Sequence, residues 1–179
     1  MSDEIYLGNP NLKKANVAQE FTQDQILEFM ACRHDPVYFA KEHVKIVTLD
    51  HGLMPFEPYD FQEGLITNFH ENRFNICKMP RQTGKSTTVI SYLLHFLLFN
   101  DSVNIGILAN KAATARELLG RLQTAYENVP KWMQQGVLSW NRGSLELENG
   151  SKILAASTSA SAVRGMSFNI LFLDEFAFV

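Results

Sequence analysis

The longest apolar stretch of the chain, Val89 to Phe99, is hydrophobic almost all round, relieved only by Ser91, Tyr92 and His95. A helix with apolar residues on every side is a buried one, so the pattern predicts a buried helix over 87–99. Just upstream, Phe74-Asn75-Ile76-Cys77 alternates as a short strand does. Val103-Asn104-Ile105-Gly106-Ile107-Leu108 and Ile170-Leu171-Phe172-Leu173 are short, nearly continuous apolar runs. Such runs predict strands buried on both faces, the habit of parallel sheets. Leu118, Leu119, Leu122 and Tyr126 share one face of a helix expected over 112–126, which Pro130 ends. Ser144-Leu145-Glu146-Leu147-Glu148 alternates as a half-exposed strand, and Lys152 to Ala156 returns as its partner. Asn149-Gly150 between them predicts a tight turn with positive φ at both residues.

Local signals also organise the first third. Met1 to Phe21 is polar, with Gly8, Asn9 and Pro10, and reads as a loose arm. Thr22-Gln23-Asp24-Gln25 is a capping box, and Asp35 stands as an N-cap before Pro36 at the first helical position, so two short helices are expected to about His43. Ile46 to Leu49 suits a short strand; His51-Gly52 and Pro55 then break the chain before a helix over 58–71. Strands alternating with helices imply an α/β fold with a mostly parallel, doubly wound sheet, flanking helices and a β-hairpin. Residues 1–57 form the arm and helical lead-in of this reading, and 58–179 its core.

Composition narrows the functional classes. With 179 residues and 46% apolar content the chain can bury one true core. Its net charge is −3 and no block of like charges stands out, so a basic nucleic-acid footprint is absent. The Val89–Phe99 run falls far short of the roughly 20 residues that span a bilayer, and the N-terminus has no signal-peptide pattern. Cys32 and Cys77 form no paired-cysteine motif and the five histidines have no metal-ligand spacing, so both thiols are expected reduced, in a cytosolic compartment and in the core.

The chemistry concentrates at Met79-Pro80-Arg81-Gln82-Thr83-Gly84-Lys85-Ser86, between the predicted strand and the buried helix. In a P-loop, backbone N–H groups and the positive end of the following helix converge on the phosphates of a nucleotide. The lysine reaches the β- and γ-phosphates, and the Ser/Thr hydroxyl holds Mg²⁺. Gly84, Lys85 and Ser86 fill those roles, but Met79 stands where the usual pattern has its first glycine, so the loop must begin differently. A bare Gly-Lys-Ser/Thr is weak by itself; the strand–loop–helix order strengthens it. Asp174 and Glu175 close the apolar run at the end of the chain as a Walker B pair. Asp174 is expected to hold Mg²⁺ through water and Glu175 to orient and deprotonate the attacking water. Without the P-loop the two acids would read as a strand cap.

In joint order, several segments resemble the ATPase domain of the large terminase subunit, the DNA-packaging motor of tailed bacteriophages, of the kind found in large myoviruses. They are Asp35-Pro36-Val37-Tyr38-Phe39-Ala40, Phe56 to Gln62, Arg81 to Ser86, the Trp140 to Gly150 hairpin, Ala162-Val163-Arg164-Gly165, and Phe172 to Phe178. The resemblance implies a P-loop NTPase fold, ATP and Mg²⁺ as ligands, and a deviant P-loop with an arginine near its start, here Arg81. Arg81, Gln82 and Thr83 would line the phosphates with Gly84, Lys85 and Ser86. It further implies that Gln62, after Tyr59 and Phe61, reads adenine, where sequence alone suggests a solvent-facing glutamine. Arg164 would reach a neighbouring subunit's ATP, with Arg81 acting on the γ-phosphate in its own. The implied partners are double-stranded DNA, the portal protein, the small terminase subunit and further copies of the chain in a ring on the procapsid, in the host cytoplasm and with no membrane. Val179 lies four residues past Glu175. The coupling motif and carboxyl-terminal nuclease domain of that family are therefore expected outside this sequence, with the fold truncated after the Walker B strand.

Rival readings stay open at this point. A superfamily-2 helicase or translocase shares a glutamine before the P-loop and an acidic Walker B, but Phe176 and Ala177 follow Glu175 here in place of that group's Ala-Asp or x-His. A non-catalytic fragment that only binds assembly partners is a reading of another class, which an ATPase assay separates. A small-molecule kinase fits least, since no lid-like arginine-rich segment follows.

Overall fold

The computed structural model describes residues 4–48, 50–159 and 165–175. Its centre is a five-stranded sheet in the order β6-β7-β8-β5-β9, built from β5 (Asn104–Ala109), β6 (Val137–Trp140), β7 (Ser144–Leu147), β8 (Lys152–Ser157) and β9 (Ile170–Leu173). β5 runs parallel to both β8 and β9, with Ile107 opposite Ala155 on one side and Phe172 on the other. β6 with β7 and β7 with β8 are antiparallel. The sheet is therefore mixed, not mostly parallel as the apolar runs suggested.

Helix α1 (Gln23–His34) starts at the Thr22 capping box, and α2 (Pro36–His43) starts where Asp35 Oδ1 accepts the N–H groups of Val37 at 2.8 Å and Tyr38 at 3.0 Å. These caps satisfy donors that each helix's first turn would otherwise leave open. The remaining helices are α3 (Asp60–Glu71), α4 (Lys85–Phe99) and α5 (Ala112–Glu127). α5 sets its apolar stripe of Leu118, Leu119, Leu122 and Tyr126 against β5 and β8. α4 packs against α2, α3 and α5, which is why its sequence is apolar all round. One buried cluster joins Leu12, Cys32, Phe39 and Ala40 of the lead-in to Leu93, Leu97, Leu119, Ile107 and Ile153.

Several expectations are corrected. The N-terminal arm is ordered: β1 (Ile5–Tyr6) and β2 (Asn9–Lys13) form a hairpin that buries Leu12, with Asn9 Nδ2 donating to Glu127 and Lys13 N donating to Gln134 Oε1. Lys45–Thr48 is a strand (β3), and β4 (Gly52–Pro55), a stretch read as a chain break, pairs back onto it. Asn149 is not in the left-handed region; only Gly150 is, at φ +78°. Leu147 N donates to Ser151 O across a loop of one more residue than expected, with Gly150 N returning to Leu147 O, a turn followed by a left-handed glycine. The Asn149 side chain is drawn off to donate to the carbonyls of Leu97 and Asn100, tying down the C-terminal end of α4.

Two corrections bear on the site. Phe74–Cys77 makes no sheet pairing, and Phe74 and Ile76 are 84% and 99% exposed. Alternation is a local property, whereas a strand needs a neighbour, and no described residue runs beside this one. β9 in turn pairs only with β5 among the described residues, so it is an edge strand with Leu171 exposed, not a strand buried on both faces.

Candidate functional site

The loop before α4 is shaped by left-handed residues. Gln82 has φ +62° and Gly84 φ +75°, whereas Met79 is not left-handed. The departure from the usual motif at Met79 therefore needs no glycine; the turn is made three and five residues later. Left-handed residues in such a loop turn successive N–H groups toward one side, the geometry of an anion-binding nest. Gly84 is the N-cap of α4, no side chain caps that end, and its first turn carries no acid. The open N–H groups and the helix dipole thus present positive potential on the loop side. Thr83 Oγ1 donates to Pro80 O at 3.1 Å, and Lys85 Nζ donates to the same carbonyl at 3.4 Å, so the ammonium lies folded back over the loop. Ser86 is half-buried one residue on, and Arg81 and Gln82 are exposed on the loop's rim.

Gln62 is buried, contrary to the solvent-facing reading. Its Oε1 accepts the N–H of Tyr59 at 2.9 Å, and its Nε2 donates to Thr83 O at 3.3 Å. It closes the first turn of α3 and ties that helix to the loop before α4. The fit is close enough that a Cβ on Gly84 would lie 2.5 Å from Gln62 Nε2. One acceptor lone pair and one N–H of the amide remain uncommitted. Beside it Tyr59 and Phe61 stack with ring centres 5.8 Å apart and 12° between planes, both exposed.

Asp174 follows β9, where its N–H donates to Leu108 O at 2.9 Å and prolongs the parallel ladder by one step. Its carboxyl is pushed above the usual range first by burial and then by the charge of Glu175; Lys85 and Arg121 lie near enough to oppose that shift. Glu175 is exposed and left-handed, φ +52°. A non-glycine residue in that region costs of order 1–3 kcal/mol. Arg164 lies outside the described residues.

Arg121 escaped the sequence reading. It sits on α5 with its guanidinium on Glu117 at 2.6 Å, four residues earlier, and so looks like an ordinary exposed helix pair. Nothing in its local pattern signals that its charge opposes the upward shift of Asp174. The bracing by Gln62 was equally hidden, since it joins positions 21 apart.

Among the described residues no helix is long and apolar enough to cross a membrane. Residues 76–179 match the family model described as terminase large subunit, T4likevirus-type, N-terminal. Tripartite terminase subunit 3 of equine herpesvirus 1 (strain Ab4p) is 28% identical over 133 residues, covering 70% of this chain and 17% of that protein; the same protein of strain V592 matches equally. The crystal structure of the HK97 bacteriophage large terminase superposes with a TM-score of 0.64 at 19% identity, over 79% of this chain and 30% of that one. At that identity the likeness is one of fold. The chain thus spans well under a third of the length of the herpesvirus relatives and 30% of the solved chain.

Proposed function

Because residues 76–179 match the N-terminal part of the T4-like terminase large subunit, the family to which the chain thus belongs, we propose that it is the nucleotide-binding part of an ATP-hydrolysing motor that moves double-stranded DNA into a procapsid. The observation that carries the proposal is the uncapped start of α4 behind a loop with two left-handed residues, with Lys85 over the loop and within charge range of Asp174. An uncapped helix end beside a lysine is a place for phosphate, and an acid opposite it is a place for the cation that accompanies a triphosphate.

In this reading the N–H groups of Gln82, Thr83, Gly84 and Lys85 cradle the phosphates. Lys85 leaves the Pro80 carbonyl for the β- and γ-phosphate oxygens. Ser86 and Asp174 are the residues that fit Mg²⁺, a hard cation that prefers oxygen ligands and keeps several waters. When bound, the cation would supply positive charge to offset that of the phosphates. Glu175 takes the proton of the attacking water. Gln62 offers adenine its spare donor and acceptor, and the exposed Tyr59–Phe61 pair offers an apolar ledge beside it. Arg164 serves a neighbouring subunit's site in a ring, and Arg81 the γ-phosphate of its own. The portal protein, the small terminase subunit and the host cytoplasm belong to the same reading.

Turnover tests the roles. Glu175→Gln should still bind ATP but hydrolyse it about 10²–10⁴-fold more slowly, the usual worth of general-base catalysis. Undiminished turnover would remove Glu175 from the chemistry, and lost ATP binding would make its role structural.

A further inference from the structure

Away from the loop, at the junction of the two lead-in helices, three side chains with metal-ligand chemistry converge. Glu28 and Cys32 stand one turn apart on α1, and His43 is the last residue of α2. A carboxylate oxygen of Glu28, the Cys32 sulfur and a ring nitrogen of His43 all lie within 4.8 Å of one another. Glu28 Oε1 is 2.7 Å from His43 Nε2 and 3.6 Å from Cys32 Sγ. Sequence spacing hid this cluster, because the third ligand arrives only when the Asp35–Pro36 break folds α2 back against α1.

We propose that Glu28, Cys32 and His43 form a zinc-class binding site that pins α1 to α2. Thiolate, imidazole and carboxylate are the three donor types that Zn²⁺ takes, at about 2.3, 2.0 and 2.1 Å, and tetrahedral ligands at those lengths stand roughly 3.3–3.6 Å apart. The sulfur–oxygen separation already suits this, and the nitrogen–oxygen pair has to open by only about half an ångström. The carboxylate is held in place from behind: Tyr38 Oη donates to Glu28 Oε2 at 3.0 Å and leaves Oε1 facing the other two ligands. Such an outer partner fixes ligand orientation. Cys32 is fully buried, while the side chains of His43 and Glu28 are 14% and 31% exposed, so the ion enters from solvent and keeps a water as its fourth ligand. On binding, Cys32 gives its thiol proton to solvent and the sulfur–metal bond forms, while the hydrogen that His43 Nε2 shares with Glu28 passes through solvent to Nδ1, freeing the Nε2 lone pair; with two anionic ligands and a neutral ring the site carries no net charge.

The site is independent of the nucleotide chemistry but touches its scaffold. The Cys32 carbonyl is hydrogen bonded to His95 Nε2 of α4 at 2.9 Å. A metal that rigidifies the Cys32 turn therefore steadies the layer on which the loop-bearing helix rests.

The test is Co²⁺ and Zn²⁺ titration of the chelator-stripped chain carrying Cys77→Ser, which removes the other thiol. One equivalent of Co²⁺ should bind with tetrahedral visible bands and a thiolate-to-cobalt charge-transfer band, and Zn²⁺ should displace it and raise the melting temperature. Tyr38→Phe should weaken binding about 10–100-fold, and Cys32→Ser should abolish the charge-transfer band. Because the band is read in a chain with Cys32 intact, a misfolded Cys32→Ser variant does not decide the matter. No binding, a weak octahedral spectrum without the thiolate band, as oxygen ligands alone would produce, or unchanged affinity in both variants overturns the site and leaves the cluster a hydrogen-bonded hub around Glu28.

Discussion

Gly84→Ala is the sharpest structural perturbation of the loop, because two separable penalties meet there. The first is backbone strain: at φ +75° an alanine sits in the left-handed region, which costs about 1–2 kcal/mol. The second is contact, since the new methyl would stand 2.5 Å from Gln62 Nε2. That atom ends a flexible side chain, so it can move, but moving it gives up the bond to Thr83 O and disturbs the Tyr59 contact, each worth about 0.5–1.5 kcal/mol. The variant should therefore lose about 2–3 kcal/mol of unfolding free energy in urea titrations. In a Gln62→Ala background only the backbone penalty remains, so Gly84→Ala should there cost about 1–2 kcal/mol. The cycle predicts a coupling of about 1 kcal/mol between positions 22 apart in sequence. Strict additivity would refute the claim that Gln62 braces the loop.

Buried His95, whose Nε2 is bonded to the Cys32 carbonyl and whose Nδ1 has no partner among the described residues, has its pKa lowered from 6.5 to about 4, first by burial. The unfolded chain takes this proton first as pH falls, so the stabilising contribution is complete above about pH 6.5 and is lost progressively toward pH 4. Wild type should shed about 2–3 kcal/mol more than His95→Gln over that window; equal slopes would contradict it. Lys85→Ala should abolish ATP turnover while leaving circular dichroism and melting temperature nearly unchanged, and unchanged turnover would remove the phosphate-loop assignment. In an assembled ring, Arg164→Ala subunits should bind ATP without hydrolysing it and regain some activity when mixed with Lys85→Ala subunits. If mixed rings form and stay inactive, Arg164 does not act across subunits and Arg81 becomes the better candidate.

What the sequence made legible is what is encoded locally. Thr22 and Asp35 cap helices through side chains two or three residues from the donors they serve, and both starts stand where expected. The α5 stripe and the existence of the β7–β8 hairpin are equally local. Features that depend on distant partners were not legible. The N-terminal arm is ordered by Glu127, Gln134 and Glu148, more than a hundred residues away. Asn149 leaves the expected turn geometry as its side chain serves the end of α4. Phe74–Cys77 has the alternation of a strand but no pairing neighbour among the described residues. At the candidate site the motif residues stand out in the sequence one by one, but their surroundings do not: the Gln62 brace and the left-handed Glu175 arise from tertiary proximity or backbone geometry.

The central claim, that the loop before α4 holds a nucleotide triphosphate, is tested most directly by calorimetric titration of Mg²⁺–ATP into this chain and into its Lys85→Ala variant, a measurement that needs no turnover. A charge-assisted hydrogen bond to phosphate is worth about 1.5–3 kcal/mol. Loss of Lys85 should therefore weaken ATP binding on the order of 10- to 100-fold. AMP, which lacks the β- and γ-phosphates, should bind weakly and equally to both. Equal ATP affinity in the two proteins would contradict the assignment, as would the absence of ATP binding to a folded wild-type chain.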